Sequence, residues 1–135
     1  MYQHILVPVA FDDAHDPKEA IAVARRLVAE DGQVTLLHVM ANVPNYVINY
    51  VPKGFQEEAQ AAIVASLEAM GAEMPNARGV VTEGSAGKTI VNWAKNEDVD
   101  CIVIASHRPG VQDIVLGSTA AQVVRHATCA IHVTR

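Results

Sequence analysis

The stretch Cys101–Thr119, CIVIASHRPGVQDIVLGST, decides the fold of this chain. Its first part, Cys101–Ala105, is an apolar run with the length and composition of a buried strand. A polar loop follows, and Gly117-Ser118-Thr119 then opens a helical pattern. A buried strand, a loop and a helix start are the parts of a βα unit, so the stretch predicts an α/β fold.

The helix start in this stretch also predicts an anion site. The N–H groups of a first helical turn have no intrahelical partners, and the helix dipole favours negative charge there. Gly117 would let a phosphate oxygen approach the backbone, and Ser118 and Thr119 would add hydroxyl donors. The alternative is that Ser118 only caps its own helix, as serine often does.

Length and composition indicate one globular domain over residues 1–135, since half of the residues are hydrophobic and 19% are charged. The longest apolar runs are strand-sized and the N-terminus lacks signal-peptide features, so we expect no membrane span and a cytoplasmic location. Cys101 and Cys129 lie in apolar stretches and are expected to be buried free thiols. The net charge of −5, without a Lys/Arg cluster, disfavours a nucleic-acid partner.

The rest of the chain alternates between strand and helix patterns. Strands are predicted over 2–9, 33–40, 78–83, 100–105 and 130–134. Helices are predicted over 16–32, with Asp16 as N-cap and Gly32 at the end, and over 55–70, 85–96 and 118–126. Residues 41–54 show no period and are expected to form a lid or a disordered loop.

This alternation predicts an α/β fold: a five-stranded, parallel, doubly wound, Rossmann-like sheet with four helices and strand order 3-2-1-4-5. Ligands of such sheets bind beyond the carboxyl ends of the strands, where the winding reverses. With the first strand paired to the fourth, the crevice would lie between residues 8–13 and 105–119.

Several segments resemble the universal stress protein family: ILVPV in the first strand, LLHV in the second, EGS before the third helix, and the C-terminal IVIASHRPGVQDIVLGSTAAQVVRHATCAIHVTR. The resemblance covers the whole chain and is closest to the small single-domain bacterial subgroup. The resemblance implies a homodimeric stress-response or signalling module. One branch of this family binds ATP or AMP.

The family's nucleotide motif is Gly, two residues, Gly, nine residues, Gly, then Ser or Thr, and this chain keeps only part of it. Gly117-Ser118 matches the end, whereas Ala105 and Arg108 stand at the two earlier glycines and the loop is one residue short. A side chain at Arg108 can hinder close backbone approach, but its guanidinium is also a good phosphate partner.

Another departure lies at the end of the first strand, where Ala10 replaces an Asp that the family often places near the adenosine. Asp12 or Asp13 could reach the site instead, or both could be solvated loop acids. Val39 and Met40 match positions that line the adenine pocket, or they are ordinary core residues.

The resemblance therefore implies that ATP or AMP binds here, with or without Mg²⁺. The residues it implicates are Pro8, Val9, Ala10, Asp12, Val39, Met40, Ala105, Ser106, His107, Arg108, Gly117, Ser118 and Thr119. The alternative is a family member that has lost its nucleotide and acts through protein–protein contacts.

No catalytic or metal signature accompanies these residues. The six histidines show no metal-ligand spacing, and we expect no enzyme activity; slow ATP hydrolysis and phosphoryl transfer to Ser118 or Thr119 remain weaker alternatives.

The last strand would lie at a sheet edge, and pairing two such edges would bury Ile131 and Val133 in a homodimer.

Overall fold

The computed structural model describes residues 1–11, 16–42, 50, 52, 54–106 and 117–134. These residues form five strands and four helices in strict alternation. In chain order they are β1 (Tyr2–Pro8), α1 (Lys18–Leu27), β2 (Val28–Met40), α2 (Phe55–Met70), β3 (Ala77–Glu83), α3 (Ala86–Asn96), β4 (Cys101–Ala105), α4 (Ser118–His126) and β5 (Ala130–Thr134).

The strands form one parallel sheet in the order β3-β2-β1-β4-β5. The predicted fold class and strand order are therefore confirmed. The winding reverses between β1 and β4, where Ile5 pairs with Cys101 and Leu6 with Ile102. On the other side of β1, Pro8 is in register with Leu37 of β2.

Helices cover both faces of the sheet. On one face, α1 and α2 pack on the strands through Ala20, Ile21, Ala24 and Leu67. On the opposite face, α3 and α4 pack through Ile90, Ala94, Ala120 and Val123. The central strands are thus buried on both sides, which accounts for their continuous apolar sequence.

The first helix ends at Leu27, so the prediction that it reaches Gly32 is wrong. Val28 is already extended and pairs with Tyr2, after which the register jumps so that His4 pairs with Gln33. Gly32 lies against the β1 backbone, where an added Cβ would be 2.9 Å from the Tyr2 carbonyl oxygen. Its lack of a side chain therefore serves strand packing rather than a helix C-cap.

The predicted helix starts are close to the observed ones. Asp16 precedes α1 by two residues, and its Oδ1 accepts a hydrogen bond from the N–H of Lys18 at 3.0 Å. Ser85 stands at the N-cap of α3, although its side chain makes no capping hydrogen bond. Gly117, not Ser118, is the N-cap of α4, so the alternative that Ser118 caps its own helix is wrong.

The two cysteines are free thiols, Cys101 buried and Cys129 half-buried. Burial raises the pKa of the Cys101 thiol to about 11, with smaller contributions from Cys129 and Asp100, and burial also raises the pKa of Cys129.

Among the described residues, no helix is long and apolar enough to cross a bilayer. Most of the 41–54 segment lies outside the described residues, as do Asp12 and Asp13.

A polar chain crosses the face of the sheet under α3. His4 and Thr35 are both buried, and Nε2 of His4 lies 2.9 Å from Oγ1 of Thr35. Nδ1 of His4 lies 3.1 Å from the carbonyl oxygen of Glu97, which can only accept, so Nδ1 carries the proton. In the neutral ring Thr35 then donates to Nε2, and its hydroxyl oxygen accepts from Nε of Arg78 at 3.3 Å. Each group in this chain has a partner, and together they link β1, β2 and β3 to the end of α3.

Replacing Thr35 by valine tests this chain. Thr35→Val keeps the shape but removes the hydroxyl, and leaves a buried His4 nitrogen without its partner. We expect the free energy of unfolding to fall by about 1–3 kcal/mol, measured by urea denaturation. The control is Thr128→Val, at an exposed threonine, for which we expect a change within about 0.5 kcal/mol. Equal stability of the two variants would contradict the assignment.

Candidate functional site

A cavity of about 220 Å³ lies at the carboxyl ends of the central strands, at the point where the winding reverses. Its strand wall comes from the ends of β1, β2 and β4, and its other wall comes from the starts of α1, α3 and α4. This is the position that the sheet topology predicts for a ligand.

Some of the predicted site residues lie on the cavity wall. They are Pro8, Val9, Ala10, Val39, Ala105 and Thr119. They come from four elements or their ends that are far apart in sequence and that the parallel sheet brings together. Their side chains are mainly apolar, so the wall suits the flat face of an aromatic base better than it suits a charged group.

Other predicted residues lie away from the cavity wall. Met40 is half-buried at the end of β2, where its carbonyl oxygen accepts from the N–H of Gly84 at 2.9 Å. Ser118 is exposed on the first turn of α4, just outside the cavity. Asp12, His107 and Arg108 lie outside the described residues.

Ser106 and Gly117 form a backbone junction beside the cavity. The N–H of Ser106 donates to the carbonyl oxygen of Thr134 at 2.8 Å, and the carbonyl oxygen of Ser106 accepts from the N–H of Gly117. An added Cβ on Gly117 would be 2.8 Å from that same oxygen. Glycine is thus required here by the packing of the protein itself, before any ligand is considered.

Helix starts make the electrostatics of the cavity favourable to anions. Residues at or next to the first turns of three helices line it: Pro17 of α1, Ala86 of α3 and Thr119 of α4. The first turns of α3 and α4, where no side chain caps the helix, present N–H groups without intrahelical partners and the positive end of a helix dipole, whereas at α1 the N–H of Lys18 is bonded to Asp16. Among the described residues of the wall, Asp16 supplies a carboxylate, and this residue is exposed. The cavity therefore offers donors to a phosphate at the α3 and α4 starts and an acceptor to hydroxyls at the α1 start.

Sequence reasoning missed about half of the cavity wall. The missed residues are Asp16, Pro17, Ala20, Leu37, His38, Ala86, Ile90 and Ile104. Capping signals at Asp16-Pro17 and Ser85 did locate the starts of α1 and α3, but nothing local indicated that both starts face one cavity. His38 carried a signal that could have found it, since it is a polar residue within an apolar strand close to its carboxyl end.

Comparison with known proteins identifies the family. The model of the universal stress protein family matches residues 1–135. This chain belongs to the universal stress protein family. Universal stress protein G of Salmonella typhimurium is 29% identical over 142 residues, with all of both chains covered. Universal stress protein A homolog 2 of Coxiella burnetii is 31% identical over 143 residues, covering 99% of this chain and 95% of that protein.

Solved structures share the fold of this universal stress protein. Hypothetical protein MJ0577 matches with a TM-score of 0.81 at 21% identity, covering 99% of this chain and 96% of that one. The Archaeoglobus fulgidus universal stress protein in complex with dAMP has a TM-score of 0.64 at 18% identity, covering 99% and 98%. An Arabidopsis thaliana family protein with AMP bound has a TM-score of 0.65 at 17% identity, covering 97% and 90%. At these identities the likeness establishes the fold.

The close packing of Gly117 on the Ser106 carbonyl oxygen can be tested in the protein without a ligand. Gly117→Ala would force its Cβ against the Ser106 carbonyl oxygen, and we expect the free energy of unfolding to fall by about 1–3 kcal/mol. The matched control is Ser118→Ala, at the adjacent exposed residue, with an expected change within about 0.5 kcal/mol. Chemical denaturation of the nucleotide-free protein measures both. A Gly117→Ala variant as stable as the parent would show that this glycine is not required by packing.

Proposed function

We propose that this universal stress protein, as one domain over residues 1–135, binds an adenine nucleotide such as AMP or ATP. The observation that carries the proposal is the cavity at the β1/β4 reversal, with apolar strand ends on one side and three helix starts on the other. Apolar walls suit a purine, and helix starts suit phosphate. Family members from Archaeoglobus fulgidus and Arabidopsis thaliana, solved with dAMP and AMP, lend further support.

In this proposal the base and ribose lie against Pro8–Ala10 and Val39, and the phosphates lie at the start of α4. Thr119 would donate its hydroxyl within the cavity, while Ser118 and Gly117 would meet the outer phosphates. The helix-start donors do not require Mg²⁺, which would enter only as the counterion of ATP. We propose a cytoplasmic binding module that responds to its nucleotide rather than an enzyme.

Calorimetric titration of the nucleotide-stripped protein tests the proposal. We expect AMP and ATP·Mg²⁺ to bind in the micromolar range, about −8 kcal/mol, and adenosine to bind at least about tenfold more weakly because it lacks the phosphate. Thr119→Val, which removes one hydrogen-bond donor, should weaken AMP binding by about three- to tenfold. Absence of heat at millimolar AMP and ATP would reject the proposal and favour a role through protein contacts alone.

A pair of matched variants locates the binding to the cavity. Ala86 lies on the cavity wall at the first turn of α3, and Ala86→Leu would fill the space a nucleotide needs. Ala62→Leu makes the same change on an exposed position of α2. Ala86→Leu should weaken AMP binding by tenfold or more, and Ala62→Leu should leave it unchanged. Equal AMP affinities in the two variants would place the nucleotide elsewhere.

We further propose a homodimer that pairs through β5. This strand lies at the edge of the sheet, bonded to β4 on one side, and Ile131 and Val133 are only half-buried. Apolar edge strands are usually covered or paired, and two copies of β5 can cover each other about a twofold axis.

Light scattering after size exclusion tests the dimer. The parent protein should have twice the mass of one chain, and Ile131→Lys should shift it to monomer, because a charge would be buried at the pairing edge. Ala62→Lys, at an exposed position of α2, should stay dimeric. A parent protein that is monomeric at high concentration would rule the interface out.

A further inference from the structure

His38 on β2 is the polar exception in the apolar strand wall of the cavity. Its neighbours along the strand, Leu37 and Val39, line the cavity with it. Nδ1 of the imidazole lies 2.8 Å from the carbonyl oxygen of Val9, at the exit of β1. The ring also meets Phe11 edge to face, with 5.0 Å between centroids and 78° between planes. These contacts hold the half-buried imidazole in one orientation.

The hydrogen bond to Val9 determines which ring nitrogen carries the proton. A carbonyl oxygen can only accept, so Nδ1 of His38 donates and is protonated. In the neutral ring Nε2 is then a hydrogen-bond acceptor. Among the described residues the hydrogen bond to Val9 is the one that the His38 ring makes, and Nε2 is not among the buried side-chain atoms that lack a partner, so this nitrogen is open to solvent. Because His38 lines the cavity and its Nδ1 is bonded to Val9, Nε2 is the ring nitrogen left to meet a ligand, and its complement is a hydrogen-bond donor.

The position of His38 in the sheet indicates which part of a nucleotide it would meet. The sheet order is β2-β1-β4, and neighbouring strands lie about 4.8 Å apart, so β2 lies about 10 Å from β4. In the proposed binding mode the phosphate lies beside Thr119 and Ala105, which line the cavity next to β4. A nucleotide with its phosphate on that side would reach β2 with its base.

We propose that Nε2 of His38 accepts a hydrogen bond from the 6-amino group of the purine and so selects 6-aminopurine nucleotides. This inference rests on the proposed nucleotide binding. Adenine carries a donor at C6, whereas hypoxanthine and guanine carry an oxygen there, which would face the Nε2 lone pair. A nucleotide that covers Nε2 without offering a donor would remove its water and leave it unpaired, so the site discriminates against a base that lacks the 6-amino group.

The test compares AMP with purine riboside 5′-monophosphate, which lacks only the 6-amino group, and with IMP. By calorimetry the parent protein should bind AMP about three- to tenfold more tightly than purine riboside monophosphate, and IMP should bind more weakly still. His38→Phe keeps an aromatic ring beside Phe11 but has no acceptor. The ratio of its affinity for AMP to its affinity for purine riboside monophosphate should therefore fall to about one. His38→Gln, whose amide oxygen can serve as acceptor, should keep a ratio above one.

The affinity ratio separates recognition of the base from support of the β1 exit. Loosening the Val9–Phe11 segment alone would weaken all three nucleotides equally and leave the ratio unchanged. His126→Phe, at an exposed histidine of α4, is the matched control and should keep the parent ratio. AMP binding with a ratio near one in the parent, or a parent-like ratio in His38→Phe, would overturn this inference and leave the proposed function standing. Binding of none of the three nucleotides would overturn both.

Discussion

Burial of β1 on both faces is the constraint on which the rest of this structure depends. Ile5 and Val7 face the core under α1 and α2, while Leu6 faces the core under α3 and α4, and all three are fully buried. A strand that exposes neither face needs helices on both sides of the sheet. Crossover connections between parallel strands are right-handed. They place helices on both faces of the sheet only if the chain first adds strands on one side of β1 and then returns to add strands on its other side.

The cavity is a direct consequence of that reversal. Where the chain leaves β1 towards β2 and later returns at β4, the connections depart in opposite directions and leave a gap above the strand ends. Helices that follow parallel strands begin at this edge, so their unpaired N–H groups surround the gap without any special sequence. The layout therefore provides a gap that suits a small anionic ligand, and the side chains around it set its size and polarity.

Polar groups in this protein stabilise the junctions between elements at both ends of the sheet. His4 and Thr35 join β1 and β2 to the end of α3, far from the cavity. At the cavity end, His38 holds the exit of β1, and the backbone of Ser106 joins β5 to the start of α4. Each of these groups is buried or half-buried and can be stable there only with a partner. The resulting bonds position the cavity wall.

The sequence by itself determined the elements, their order and the family, because apolar periodicity, caps and the C-terminal motif are local signals. It also located Val9 and Thr119 at the edge where a ligand would bind. Only the tertiary structure decided that Gly32 packs on β1 instead of ending α1, and that the Gly117 backbone meets Ser106. It alone placed His38 on the cavity wall, with Nδ1 bonded to Val9 and no partner for Nε2 among the residues that the structure describes. The reason is that these roles depend on register and on contacts between residues distant in the chain, which no local pattern encodes.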